Sequence, residues 1–148
     1  MNLKGCVIGD GYLKDSLMKQ YPNIPFVGWK EGADKMEILK RAKALVFPSL
    51  WYEGAPLTII EMHSLGIPCI VPDRCAASEF IQEGVNGFVF SIGNLSALKD
   101  AIRKCEVADL KPMSEKMYSE LDRDSFTTER HIQSLMDIYN DVLASRES

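Results

Sequence analysis

What most constrains this chain is a rhythm in its apolar residues. Short continuous runs, each stopped by a glycine or proline turn, alternate with stretches in which apolar residues recur every three or four positions. The runs lie at 5–8, 24–28, 44–47, 69–71 and 88–90. Between and after them come Leu13, Leu17 and Met18, then Met36, Leu39 and Ala42, then Leu95, Leu98, Ile102 and Cys105, all at helical spacing. A strand that is apolar on both faces must be covered on both faces, and helices between strands are what cover it. The expected fold is therefore α/β: a three-layer sandwich with a mostly parallel sheet of about five strands and helices on both faces.

Local signals place the elements. Asp34 is expected to cap a helix reaching Ala42, and Asn94 or Ser96 to cap the helix that carries Leu95 to Cys105. A helix opening near Pro56 is stopped by Gly66, with Pro68 just beyond. A short helix is expected over 78–82 and another over 114–121. The last, from Thr128 to Ala144 within a terminal segment of about 126–148, puts Ile132, Leu135, Met136, Tyr139, Val142 and Leu143 on one face. Such a stripe is more often core than a partner site, although a terminal helix could also dock on a second domain.

At 148 residues the chain is expected to form a single domain, 1–148, with 46% hydrophobic and 26% charged residues and no biased tract. Its net charge of -4, with Lys and Arg scattered, argues against nucleic acid and against an anionic membrane surface as partners. No apolar run approaches the roughly 18 residues needed to span a bilayer, and no signal sequence opens the chain. A cytoplasmic protein is expected. Cys6, Cys69, Cys75 and Cys105 have neither zinc-site spacing nor the density of a disulfide scaffold, so free thiols are expected. Cys6 and Cys69 lie in strand-like runs and read as small buried hydrophobes.

The stretch with the most chemistry is 44–65, a strand, a loop carrying Glu53, and a helix carrying Glu61. On a wheel of about 100° per residue starting at Leu57, Glu61 falls near 40°, inside an apolar stripe with Leu65. A carboxylate there needs partners or a shifted pKa. Glu53 lies at a strand's carboxyl end beside Gly54, where a ligand can approach the backbone. Two carboxylates suit a polyhydroxylated ligand, since each accepts two hydroxyl donors, and the helix start at Leu57 and Thr58 offers free N–H groups to phosphate. Hydroxyls with phosphate point to a nucleotide sugar. The turn Gly9-Asp10-Gly11 could cradle a phosphate, or could simply be a tight turn that needs positive φ; both readings stand.

Pro48-Ser49, Glu53-Gly54-x-Pro56-Leu57, Glu61-Met62, Gly66-x-Pro68, Glu79 and Gly84-x-Asn86-Gly87 together resemble the donor-binding half of retaining glycosyltransferases with the GT-B fold, in the large group-1 family. The resemblance runs from Gly9 to the final helix. It implies a Rossmann-like, incomplete GT-B C-terminal domain, and hexosyl transfer from a nucleotide-diphosphate sugar with retention, without a cofactor or an obligatory metal. By it Glu53 is the catalytic glutamate that lies by the donor sugar, and Glu61 holds the ribose hydroxyls. Gly54, Ala55, Pro56, Leu57 and Thr58 contact sugar and diphosphate, Gly9 and Gly11 line the cleft floor, and Trp29 and Lys30 lie beside the base.

Departures from the family pattern carry expectations of their own. Cys75 and Ala76 stand where the family has a glycine pair before the acid matched by Glu79. The strand and helix that carry the family's diphosphate-binding Arg and Lys fall before this chain starts, as does the N-terminal acceptor domain. The chain is thus expected to be inactive alone, with Val7's strand either paired to Val46's or bordering a gap. A homo-oligomer through that sheet gap or the terminal helix would be consistent with this, and the full-length enzyme would be peripheral to the inner membrane. A complete six-stranded sheet in this chain would refute the alignment at its start. The alternative is a stand-alone, non-catalytic binding or interaction module derived from the same domain. A receiver domain is disfavoured, since only Asp10 follows the first strand.

Overall fold

The computed structural model describes residues 3–51, 56–120 and 127–145, and the chain divides into two units, Met1–Ala42 and Lys43–Ser148. In the first unit the apolar runs are too short for a ladder. Val7 and Phe26 form one parallel bridge, in which the Val7 N–H donates to the Pro25 carbonyl at 2.8 Å and the Val7 carbonyl accepts from the Val27 N–H at 2.9 Å. Helix α1 (Lys14–Gln20) has no buried residue. Helix α2 (Gly32–Leu39) starts behind Glu31 without a side-chain cap. Asp34, expected as that cap, sits instead in the first turn, where its charge faces the positive end of the helix.

The second unit holds a parallel sheet of β1 (Leu45–Val46), β2 (Cys69–Pro72) and β3 (Gly87–Phe90), in that order. The central strand is buried at all four positions, as its unbroken apolar run requires. Register pairs Leu45 with Cys69, and Cys69 with Gly87. The edge strand β3 has an outward amide at Val89, which donates to Glu83 Oε2 at 2.8 Å, while Glu83 Oε1 accepts from Lys104 at 2.8 Å.

Among the described residues the five apolar runs appear as a three-stranded parallel sheet and, in the first unit, two runs joined by a single parallel bridge. Turns at Gly9 (φ 134°) and Gly28 (φ 73°) end those runs before a second bridge can form. No six-stranded sheet exists among the described residues.

Helix α3 (Leu57–Ser64) ends in a Schellman motif: the Gly66 N–H donates to His63 O, and the Ile67 N–H to Met62 O, both at 2.9 Å. The expected helix over 78–82 is a 3-10 turn at Ala76–Phe80, its Ile81 N–H closing on Ser78 O at 3.1 Å. Helix α4 (Leu95–Val107) is capped by Asn94 rather than Ser96, its Oδ1 accepting from the Ala97 N–H at 3.0 Å. Helix α5 (Leu110–Glu120) begins earlier than 114, because Pro112 fits a first turn where its missing N–H has no partner to lose; Leu121 lies outside the described residues. The core joins Ile70, Phe88 and Phe90 to Ala101 and Cys105 of α4 and Met113 and Met117 of α5.

Helix α6 (Thr128–Ala144) starts and ends where its stripe does, with Thr127 Oγ1 accepting from the Arg130 N–H at 3.2 Å. It buries no residue. Ile132 is 54% exposed and Tyr139 59%, so the reading of this stripe as core is corrected: periodicity reports that a face is apolar, and packing alone decides whether it is covered. Among the described residues no helix is long and apolar enough to cross a membrane.

Cys6 is exposed, contrary to expectation, because its short run gains only the single bridge as a neighbour; Cys69, Cys75 and Cys105 are buried. Burial, with the neighbouring Cys105 as a lesser cause, pushes the Cys69 thiol up to about 12, and burial also raises Cys105. Only a thiolate attacks an alkylating reagent. Labelling the native chain should therefore modify Cys6 within minutes and reach the other three only on unfolding, which peptide mass analysis would read directly.

Candidate functional site

The proposed donor residues fall into two groups, one in each unit. In the second unit β1 leads through Pro48 and Ser49 to the loop, where Ser49 Oγ accepts from the Trp51 N–H at 3.2 Å. Glu53, Gly54 and Ala55 lie outside the described residues, as does Tyr52. The chain re-enters at Pro56, a buried, extended residue that precedes α3 and offers no side-chain cap. Leu57 and Thr58 follow on the exposed side of the first turn. A helix start without a side-chain cap leaves its amides to water or a ligand.

Glu61 is half-buried one turn further on. The face of α3 that is buried carries Ile59 (0% exposed) and Met62 (1%), whereas Leu57 is 75% exposed. This corrects the wheel, on which Leu57 marked the apolar stripe: at about 100° per residue Glu61 flanks the buried face rather than lying in it. The helix is apolar almost all round, so the pattern could not choose the inner side.

In the first unit a cavity of about 290 Å³ is lined by Gly9, Gly11, Tyr12, Lys14, Leu17 and Phe26, among others. Gly9 also donates its N–H to Gly28 O at 2.9 Å. Trp29 is 69% exposed, and Lys30 is half-buried. Asp10, which had no assigned role, accepts from the Trp29 N–H at 2.6 Å and pairs with Lys14. Its partners hold the carboxyl below its ordinary 3.8, the Lys14 hydrogen bond first and the Trp29 amide second. Lys14 and Asp10 were missed because one turn of a short helix and a contact spanning 19 residues leave no periodic signal.

His63, near the opposite end of α3, borders a smaller cavity of about 120 Å³ with Asn86, Lys116, Met117 and Glu120. Its Nε2 is buried with no hydrogen-bond partner, and desolvation lowers its pKa from 6.5, partly opposed by a hydrogen bond with the Asn86 backbone. The unfolded chain therefore takes up a proton near 6.5 that the folded chain takes up only at lower pH, so stability present above 6.5 is lost on acidification through that window. Urea midpoints at pH 7.5 and 5.5 should show this fall, and His63→Gln should flatten it.

Comparison with known proteins gives a consistent picture. A family model described as Glycosyl transferases group 1 matches residues 2–120. The Escherichia coli UDP-Gal:alpha-D-GlcNAc-diphosphoundecaprenol alpha-1,3-galactosyltransferase is 27% identical over 95% of this chain and 37% of its own length. The Anabaena protein HepE, solved in complex with UDP, superposes with a TM-score of 0.75 at 19% identity, covering 94% of this chain and 41% of that one. A glycosyltransferase from Rickettsia africae gives 0.76 at 20%, covering 93% and 39%. These structures share the Rossmann-like α/β fold of GT-B proteins, and the chain spans about a third of the length of its curated E. coli relative.

Proposed function

We propose, because this chain belongs to the group 1 glycosyl transferases, that it is the donor-binding part of a glycosyltransferase that moves a hexosyl group from a nucleotide sugar with retention. The family match over residues 2–120 carries the reading, since it takes in both groups of donor residues. UDP is the favoured nucleotide: the E. coli relative is named for a UDP-galactose donor, and HepE was solved with UDP. By the same relative, a lipid-linked saccharide is the favoured class of acceptor, which would bring the whole enzyme to a membrane surface.

In this reading Glu53 is the catalytic glutamate beside the sugar, and Gly54, Ala55, Pro56, Leu57 and Thr58 meet sugar and diphosphate. Glu61 takes the ribose hydroxyls, while Gly9, Gly11, Trp29 and Lys30 serve the nucleotide end. The half-buried position of Glu61 on a helix anchored by Ile59 and Met62 supports its part, because a fixed carboxylate can accept two hydroxyls without first being ordered. No metal or cofactor is required. An acceptor-binding part completes the reaction, so the chain by itself is expected to bind donor without turning it over.

Calorimetric titration with UDP, GDP and ADP tests this. Saturable UDP binding is expected, weakened at least about tenfold in Glu61→Ala, since charge-assisted hydrogen bonds contribute roughly 1.5 to 3 kcal/mol each. A second reading, a non-catalytic interaction module, draws on the exposed apolar face of α6; it would be favoured if no nucleotide bound at millimolar concentration to a folded chain.

A further inference from the structure

The smaller cavity beside His63 is walled by three elements that are held with very different strength. Helix α3 contributes His63 itself and is anchored one residue earlier by Met62, which is 1% exposed. The turn before β3 contributes Asn86 and is bonded throughout. Asn86 Oδ1 accepts from the Gln82 N–H at 2.8 Å, its Nδ2 donates to Phe80 O at 2.9 Å, and its carbonyl accepts from the Cys69 N–H at 3.3 Å. Helix α5 contributes Lys116, Met117 and Glu120 from its C-terminal end. That end is held more lightly. Met117 reaches the core, and the Tyr118 hydroxyl donates to Leu65 O at 3.2 Å. Lys116 and Glu120 face each other at 3.5 Å, but both stand in solvent, where such a pair contributes little.

Against this wall lies a buried imidazole nitrogen, His63 Nε2, with no hydrogen-bond partner among the described residues. A neutral ring tolerates the position. A protonated ring would bring a charge and a second N–H donor into a space shielded from water. Among the described residues few groups can answer that charge. On α5 they are Glu120, already turned to Lys116, and Lys116, which repels it. The Asn86 turn offers a backbone hydrogen bond that only partly offsets burial, and Glu83 on that turn is engaged with Val89 and Lys104. Strand β2, packed under α3, carries the Cys69 thiol, whose pKa is pushed up to about 12 and which therefore stays neutral. Glu61 is two residues earlier on α3, about 200° round the helix and so on the other side.

We propose that His63 is an acid-sensitive latch: with its ring neutral the C-terminal end of α5 stays closed on α3, and protonation lifts that end so that water reaches the imidazole. The wall that moves is α5, because the core and the Asn86 bonds fix the other two. The proposal stands apart from the donor-binding reading, although the helix it uncovers also carries Leu57, Thr58 and Glu61. It differs from a general loss of stability in acid, since the sheet stays intact while α5 opens. The open form takes up its proton near the ordinary 6.5, and the closed form only at lower pH. Opening therefore grows as pH falls through that value, by up to about tenfold between pH 7.5 and 5.5.

Hydrogen exchange on the full chain, resolved by residue at both pH values with up to about 1 M urea, tests this. Protection factors, which remove the intrinsic pH dependence of exchange, should fall by that factor at the amides of residues 117–119. The fall should not depend on urea, because a local opening exposes little surface. The amides of Ile70 and Val71 in β2 should instead follow the steep urea dependence of global unfolding. His63→Gln should remove the acid response at 117–119. His63→Met, which fills the same space without a titratable group, should do the same, so the result does not hang on one variant folding.

Protection at 117–119 that is unchanged by pH, or that falls as far in both variants, would overturn the latch. Exchange at 117–119 with the urea slope of Ile70 and Val71 would also overturn it, by showing that acid acts on the whole unit at once.

Discussion

Gly87→Ala should destabilise the second unit by about 3 kcal/mol, seen as a fall of about 10 °C in the thermal midpoint. Gly87 opens β3 and lies opposite Cys69 in the parallel register. A Cβ there would overlap the backbone carbonyl oxygen of Cys69 and would also reach Ile81 Cδ1 at 3.1 Å. A side chain can rotate away from such a conflict, but a carbonyl in the ladder cannot move without loosening the pairing of the central strand with its neighbour. That strand is buried throughout, so the disturbance reaches the core directly. Gly5→Ala is the control, because nothing lies within 4 Å of a Cβ at that position; it should melt within about 1 °C of the unmodified chain, about 0.3 kcal/mol or less. A Gly87→Ala chain that melted like the control would show the β2–β3 register to be wrong.

Gly66→Ala should cost about 2 to 3 kcal/mol, for two separable reasons. The residue is the left-handed position of the Schellman motif, φ 69°, where an L side chain costs roughly 1 kcal/mol. The rest comes from α5, which crosses close by: a Cβ would sit against the Ser114 hydroxyl and 2.7 Å from Tyr118 Cε2. Tyr118 also donates its hydroxyl to Leu65 O at 3.2 Å, so the ring has a reason to stay. Urea denaturation of Gly66→Ala in a Ser114→Ala, Tyr118→Ala background should recover the crowding part and leave the backbone part. If the cost were unchanged in that background, α5 would not be packed as described.

The termini of elements could be read from residues because caps act over three or four positions. Asn94 bonds the amide of Ala97, Thr127 that of Arg130, and Gly66 with Ile67 closes α3 on His63 and Met62. Burial could not be read in the same way. Cys6 lies in an apolar run and is exposed, Leu57 belongs to an apolar helix and is 75% exposed, and α6 has a regular stripe that buries nothing. In each case the local pattern states what could be covered, while coverage depends on elements distant in sequence.

The candidate site divides along the same line. Glu61, Pro56 and the Gly9 turn could be proposed from the sequence because a helix start and a glycine turn are local chemistry with a motif around them. The hold of Asp10 on Trp29 was not, since their contact joins residues 19 apart through one carboxylate oxygen.

By itself, then, the sequence determined the α/β class, the bounds of α6 and the stop at Gly66, all of which follow from short-range hydrogen bonding and side-chain type. Tertiary structure alone decided that, among the described residues, three strands join in one sheet and that Glu61 flanks the buried face of α3. It alone decided that Trp29 is held outward with both donors spent. Those outcomes depend on which backbone and side-chain groups meet after the chain has closed on itself, and no local propensity carries that information.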